Sequence, residues 1–239
     1  MFFSDDVGIE FSAFSFVHIL LFIGIILGST LIFIFRKRIR EWKHERQFAK
    51  TVAILAFVWE LLLYLWYIVN GIWTPEHSLP IGLCAFALYI GIFSLYFKNY
   101  KLFAVGYFWT WGAIASVLFP DIAFSYDRFR FYQFMLGHMN FFWMFLYMIF
   151  VYKWYPNWQD WKRSCITLSI IVLILIITSN ITNANLMFML RSDGTPFEIF
   201  EGYGYAVYLI GVISLSFIVI FIWFLPFMLY HRRNKKIEN

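Results

Sequence analysis

"TVAILAFVWELLLYLWYIVN", residues 51–70, is twenty residues of almost unbroken apolar and aromatic character with one charge, Glu60, at its middle. Such a run is long enough to cross the hydrocarbon core of a bilayer as a helix, which needs about 20 apolar residues. Its character extends to the whole chain. Of 239 residues 62% are hydrophobic, 24% are aromatic and only 14% are charged. A soluble domain is roughly half apolar and about a quarter charged. The expected class is therefore all-α: one polytopic membrane domain over 1–239, without a soluble module.

Seven stretches read as spans: 12–35, 51–70, 79–97, 102–119, 130–152, 164–182 and 204–230. The acidic start "MFFSDDVGIEF" lacks a basic n-region, so the first stretch is expected to be a retained span rather than a cleaved signal. Sixteen of the 19 Lys and Arg fall on one side of this arrangement, from Arg36 in the first loop to Lys236 near the end. Only Arg128, Arg130 and Arg191 fall on the other. Basic residues stay cytoplasmic. The expected topology is a seven-helix bundle with the N-terminus outside and the C-terminus in the cytoplasm. The +5 charge is thus a topology signal, and no nucleic-acid partner is expected. Tryptophans at the span edges, such as Trp42, Trp73 and Trp158, suit the interface between water and hydrocarbon.

Polar groups inside hydrocarbon are costly and mark candidate sites. They are Glu60, Cys84, His138, Asn140 and Asn180, with His18 in the first helix. Ser78 is expected to cap the third helix and Pro80 to lie in its first turn, which puts Cys84 about 9 Å along the axis. His138 lies about 12 Å into the fifth helix, at nearly the same depth. If those helices touch, the imidazole can take the thiol proton. Gly137 beside His138 is expected to permit close helix approach. Asn180, Asn183 and Asn185 are candidates to orient the imidazole or bind substrate, as are Asp121 and Asp127, though caps and turns use the same residues. Glu60 is too deep to reach the pair readily and is expected in a polar network. His77 in an outer loop is a candidate headgroup contact. Cys84 and Cys165 lie toward opposite faces, too far apart for a disulfide. The histidines are too scattered for a zinc site, and no metal or cofactor is expected. The stretch 183–204 is either a lid over the outer mouth or a plain connection.

Three segments carry a family resemblance: "LPIGLCAFAL" (79–88), "LFPDIAFSYDRFRFYQFMLGHMNFFWMFLY" (118–147) and "NANLMFML" (183–190). They resemble the YwaF-type bacterial integral membrane proteins, which look distantly related to a eukaryotic transmembrane acyltransferase acting on ether phospholipids. The resemblance implies a cysteine nucleophile, Cys84, a histidine partner, His138, and an asparagine-rich segment near the site. Gly82 and Ala85 stand where members often carry a histidine and an acid. The implied activity is lipid acyl transfer or lipid hydrolysis in the outer leaflet, on a membrane phospholipid or lysolipid, in the plasma membrane of a bacterium. The competing reading is a non-enzymatic bundle: a transporter with Glu60 as a midplane relay, or a partner in envelope assembly. Protein partners are not specified by the sequence.

Overall fold

The computed structural model describes residues 1–74, 78–192 and 195–238. Among them are eight α-helices: α1 Phe16–Glu41, α2 Glu45–Val69, α3 Leu83–Phe97, α4 Tyr100–Gly106, α5 Trp111–Leu118, α6 Phe129–Phe150, α7 Trp158–Thr182 and α8 Tyr205–Glu238. Five helical segments are long and apolar enough to cross a membrane: α1, α2, α4 with α5, α7 and α8. Helix α3 is apolar but only 15 residues long. Helix α6 carries Arg130, Gln133, His138 and Asn140, which lower its hydropathy, yet it packs against α1, α2, α3 and α5 and forms the bundle's centre. The chain is a multi-pass membrane protein.

The two ends of the bundle differ in charge. At the basic end, arginines of the α1–α2 region cap other helices. Arg40 donates to the Phe150 and Val151 carbonyls at 2.6 and 2.7 Å, and Arg46 donates to those of Leu95 and Tyr96. The last carbonyls of a helix have no intrahelical donor, and a guanidinium there also meets the negative end of the dipole. Asn157 and Asp160 form a capping box at the start of α7, and Tyr100 donates to Asp160 at 2.7 Å. At the other end the N-terminal segment folds over the 120–128 loop. Glu10 and Phe124 form a β-bridge, and Phe129 N–H donates to the Phe2 carbonyl at 2.8 Å.

The structure corrects several sequence-based boundaries. The first two helices extend into the basic loop, leaving only residues 42–44 between them. Arg, Lys and Glu are good helix formers, so the hydropathy edge marks the end of the oily stretch, not of the helix. The fourth stretch is broken by a 3₁₀ turn at Tyr107–Trp109. Helix α3 starts at Leu83 with Gly82 as N-cap, four residues later than expected. The Ser78 hydroxyl accepts the Thr74 N–H at 3.2 Å, closing the preceding turn instead, and Pro80 disfavours helix at the residue before it. Helix α8 passes through Pro226 without ending.

Candidate functional site

Cys84 is consequently the second residue of α3, in the turn whose N–H groups lack intrahelical acceptors. The positive end of the helix dipole lies at this turn. The thiol faces α5: its Sγ is 3.9 Å from Ser116 Oγ, and a Cβ on Gly112 would meet it at 3.7 Å. Among the described residues Ser116 is the hydroxyl that pairs with the sulfur, and the sequence pattern gives no sign of it. The break in the fourth stretch, which turns α5 toward α3, has no sequence signal beyond the small residues of "WGAIAS".

Helices α3 and α6 run side by side in the same direction. Gly91 lies against Phe145, where a Cβ would stand 2.9 Å from the ring, and Ser94 Oγ is 3.2 Å from Met148 Sδ. Both pairs have the same sequence offset. Counted seven residues back on each helix, about two turns, the same offset runs from Cys84 to His138. The two side chains are not hydrogen-bonded to each other. His138 Nδ1 donates to the Phe134 carbonyl at 2.7 Å. A carbonyl only accepts, so Nδ1 carries the proton and Nε2 holds the free lone pair. The ring packs against Phe134 and Phe141, with centroids 4.3 and 5.6 Å away. The group that orients the imidazole is thus a backbone carbonyl of its own helix.

The asparagines are occupied elsewhere. Asn180 donates to the Ile176 carbonyl at 2.8 Å and to Tyr205 Oη at 3.3 Å, joining α7 to α8. Asn183 ends α7 in a left-handed conformation. Asn185 Oδ1 accepts from the N–H groups of Leu190 and Arg191 at 2.9 and 3.2 Å, shaping the loop. Two further residues of that connection pack on α8, with Phe200 over Gly211 and the Phe188 carbonyl accepting from Tyr208 Oη at 2.6 Å. His77 and Glu76 lie outside the described residues, as do Asp193 and Gly194. Asp127 pairs with its neighbour Arg128 at 2.6 Å.

Glu60 belongs to a polar chain between α2 and α6. Its Oε2 accepts from Gln133 Nε2 at 3.2 Å, and Gln133 Oε1 accepts from Arg130 at 2.5 Å. Trp59 Nε1 donates to the Gln133 carbonyl at 3.3 Å. Gly137 faces this same helix: a Cβ there would touch Trp59 only at 4.0 Å. It is not the residue that brings α3 and α6 together. Gly91 is. His18 is a satisfied core histidine, accepting the Phe14 N–H at Nδ1 and donating from Nε2 to the Val117 carbonyl at 2.7 Å. Asn140 lies on a different flank of α6, lining an apolar cavity of about 330 Å³ with residues such as Leu31, Val52 and Trp143. Cys84 and Cys165 are free thiols. Among the described residues no three His, Cys, Asp or Glu side chains converge.

One family model, that of the TMEM164 family, matches residues 13–227. The chain belongs to the TMEM164 family. Comparison with curated proteins and with solved structures gives no match. Membership covers all eight helices except the last residues of α8. In this TMEM164-family chain the segment with Cys84 and the segment with His138 both lie inside the matched region.

Proposed function

We propose that the protein is a membrane-embedded enzyme of lipid acyl groups, with Cys84 as nucleophile and His138 as base. The observation that supports the reading is the α3–α6 register seen at Gly91–Phe145 and Ser94–Met148, whose offset extends to Cys84 and His138, together with the proton on His138 Nδ1, which makes Nε2 the basic nitrogen. In the first step Nε2 takes the thiol proton, directly or through one water, and the sulfur attacks an ester carbonyl of a phospholipid. The unpaired N–H groups at the start of α3 stabilise the oxyanion. The C–O bond breaks, and the departing lysolipid oxygen takes the proton from the imidazolium. An acyl thioester remains on Cys84. In the second step Nε2 removes a proton from the hydroxyl of an acceptor lysolipid. That oxygen attacks the thioester, the C–S bond breaks, and the thiolate is reprotonated by His138. With water as acceptor the same steps give a lipid hydrolase. No cofactor enters.

The reading includes one integral membrane domain crossing a bacterial plasma membrane seven times, with α3 and α6 as the two added spans. The basic end, which gathers the α1–α2, α3–α4 and α6–α7 connections and the end of α8, faces the cytoplasm. Cys84 and His138 then lie toward the outer leaflet, where a lipid reaches them laterally. Within the family, the YwaF-type motifs support this branch. Glu60 with Gln133 and Arg130 holds α2 to α6, and Asn180, Asn183 and Asn185 shape the outer rim.

The test is acyl exchange in proteoliposomes between a phospholipid with a labelled acyl chain and an added lysolipid. The expected result is label transfer or release that Cys84→Ala abolishes and Cys165→Ala leaves intact. Equal turnover by Cys84→Ala and the unmodified protein overturns Cys84 as the nucleophile, and no turnover above protein-free liposomes overturns the reading in favour of a non-enzymatic bundle.

A further inference from the structure

At the basic end, far from Cys84, the start of α7 and the end of α8 enclose a cavity of about 710 Å³. Its floor is apolar: Trp158, Phe224 and Met228 line it, and the Trp158 and Phe224 rings lie 5.7 Å apart. Its rim is polar, with Gln159, Arg232 and Asn234 among the lining residues. None of these three side chains makes a hydrogen bond or ion pair among the described residues. Asp160, next to Gln159 in sequence, is 1% exposed and already accepts from Tyr100 and from Asn157 N–H. His231 is positioned by donating from Nε2 to the Pro156 carbonyl at 3.0 Å, and its Nδ1 has no hydrogen bond among the described residues. The rim therefore offers donors, and a guanidinium, that meet no acid among the described residues, over an aromatic floor.

That combination selects an amphiphile with an anionic head. A guanidinium forks onto phosphate oxygens. Amide donors such as Gln159 and Asn234 complete a phosphate's hydrogen bonds, and tryptophan favours the headgroup level of a bilayer. We infer that the α7–α8 cavity binds the phosphate headgroup of an anionic glycerophospholipid, with its glycerol and upper acyl carbons on Trp158, Phe224 and Met228. The site is separate from the thiol chemistry and stands whether or not Cys84 is a nucleophile. It ties α8 to α7 at the membrane surface, where the exposed Trp158 would otherwise meet water.

The test uses full-length protein in phosphatidylcholine nanodiscs doped with phosphatidylglycerol carrying a photoactivatable group on its upper acyl chain, with adducts mapped by peptide mass spectrometry. Labelling should concentrate on the peptides holding Trp158–Gln159 and Phe224–Met228. It should exceed that of the Ile170–Ile174 stretch, whose Ile170, Leu173 and Ile174 are exposed, at least three-fold. Arg232→Glu should remove the excess and Gln159→Leu should reduce it, while both variants keep the thermal midpoint of the parent. Unlabelled phosphatidylglycerol should compete, and millimolar inorganic phosphate or glycerol 3-phosphate should not. Labelling no stronger than at Ile170–Ile174, or unchanged in Arg232→Glu, overturns the site. Full competition by inorganic phosphate overturns its assignment to a lipid.

Discussion

Gly91 of α3 lies so close to Phe145 of α6 that a methyl group on the glycine would stand 2.9 Å from the ring. Phe145 is 1% exposed and cannot swing away freely. This contact sets the spacing of the two helices that carry the thiol and the imidazole. Everything in the proposed chemistry depends on that spacing two turns farther toward their N-termini.

Gly91→Leu should therefore push α3 from α6. Overpacking of this kind costs about 1–3 kcal/mol, and acyl turnover should fall more than stability does. Gly137→Ala should be neutral or slightly stabilising, since the added methyl meets only Trp59 at 4.0 Å and alanine is the better helix former. Thermal unfolding in nanodiscs beside the exchange assay separates the two effects.

His138→Gln should slow acylation of Cys84 by about 10²–10⁴-fold, the usual worth of a positioned general base. The labelling rate with a lipid-like thiol reagent is the readout. Ser116→Ala removes only a 3.9 Å hydroxyl contact to the thiol and should change that rate by less than His138→Gln does. A larger effect from Ser116→Ala would make Ser116, not His138, the thiol's working partner.

Gln133→Leu strips the bridge between Glu60 and Arg130 and leaves both without their shared amide. An unsatisfied buried charged group costs about 2 kcal/mol or more. The variant should show a lower thermal midpoint than a lipid-facing control such as Ile177→Ala.

Arg46→Gln should destabilise the protein by about 1–3 kcal/mol by uncapping the end of α3, because hydrogen bonds from a charged donor carry that much. Arg46→Lys should rescue little, since one ammonium does not reproduce a fork that serves two carbonyls. Lys43→Gln, at an exposed connector position, should be silent in the same melt.

The membrane class was legible because the bilayer imposes it: spans of apolar residues have no other use, and "TVAILAFVWELLLYLWYIVN" falls within α2 but for its last residue. Glu60 was legible as a network residue from its depth alone. Helix ends were not, because Arg36–Arg40 and Arg46–Lys50 look like loop by hydropathy yet continue the helices and cap their neighbours. Ser78 and Pro80 form a plausible helix start, but the serine's acceptor serves Thr74, a choice made by the local turn. Gly137 attracted attention by sitting next to His138, whereas the tight approach belongs to Gly91, seven residues past Cys84. The docking of residues 1–12 onto the 120–128 loop had only the two phenylalanines at the start as a sign. Ser116 beside the thiol depended on a break in a stretch that reads as continuous.

The central claim is a covalent acyl group on one sulfur. Intact-protein mass spectrometry after incubation with phospholipid, without lysolipid acceptor, tests it directly. The account predicts an added mass equal to one acyl chain, removed by hydroxylamine, absent from Cys84→Ala and depleted in His138→Gln. An acyl mass that persists in Cys84→Ala, or no acyl mass on protein that turns over lipid, would contradict it.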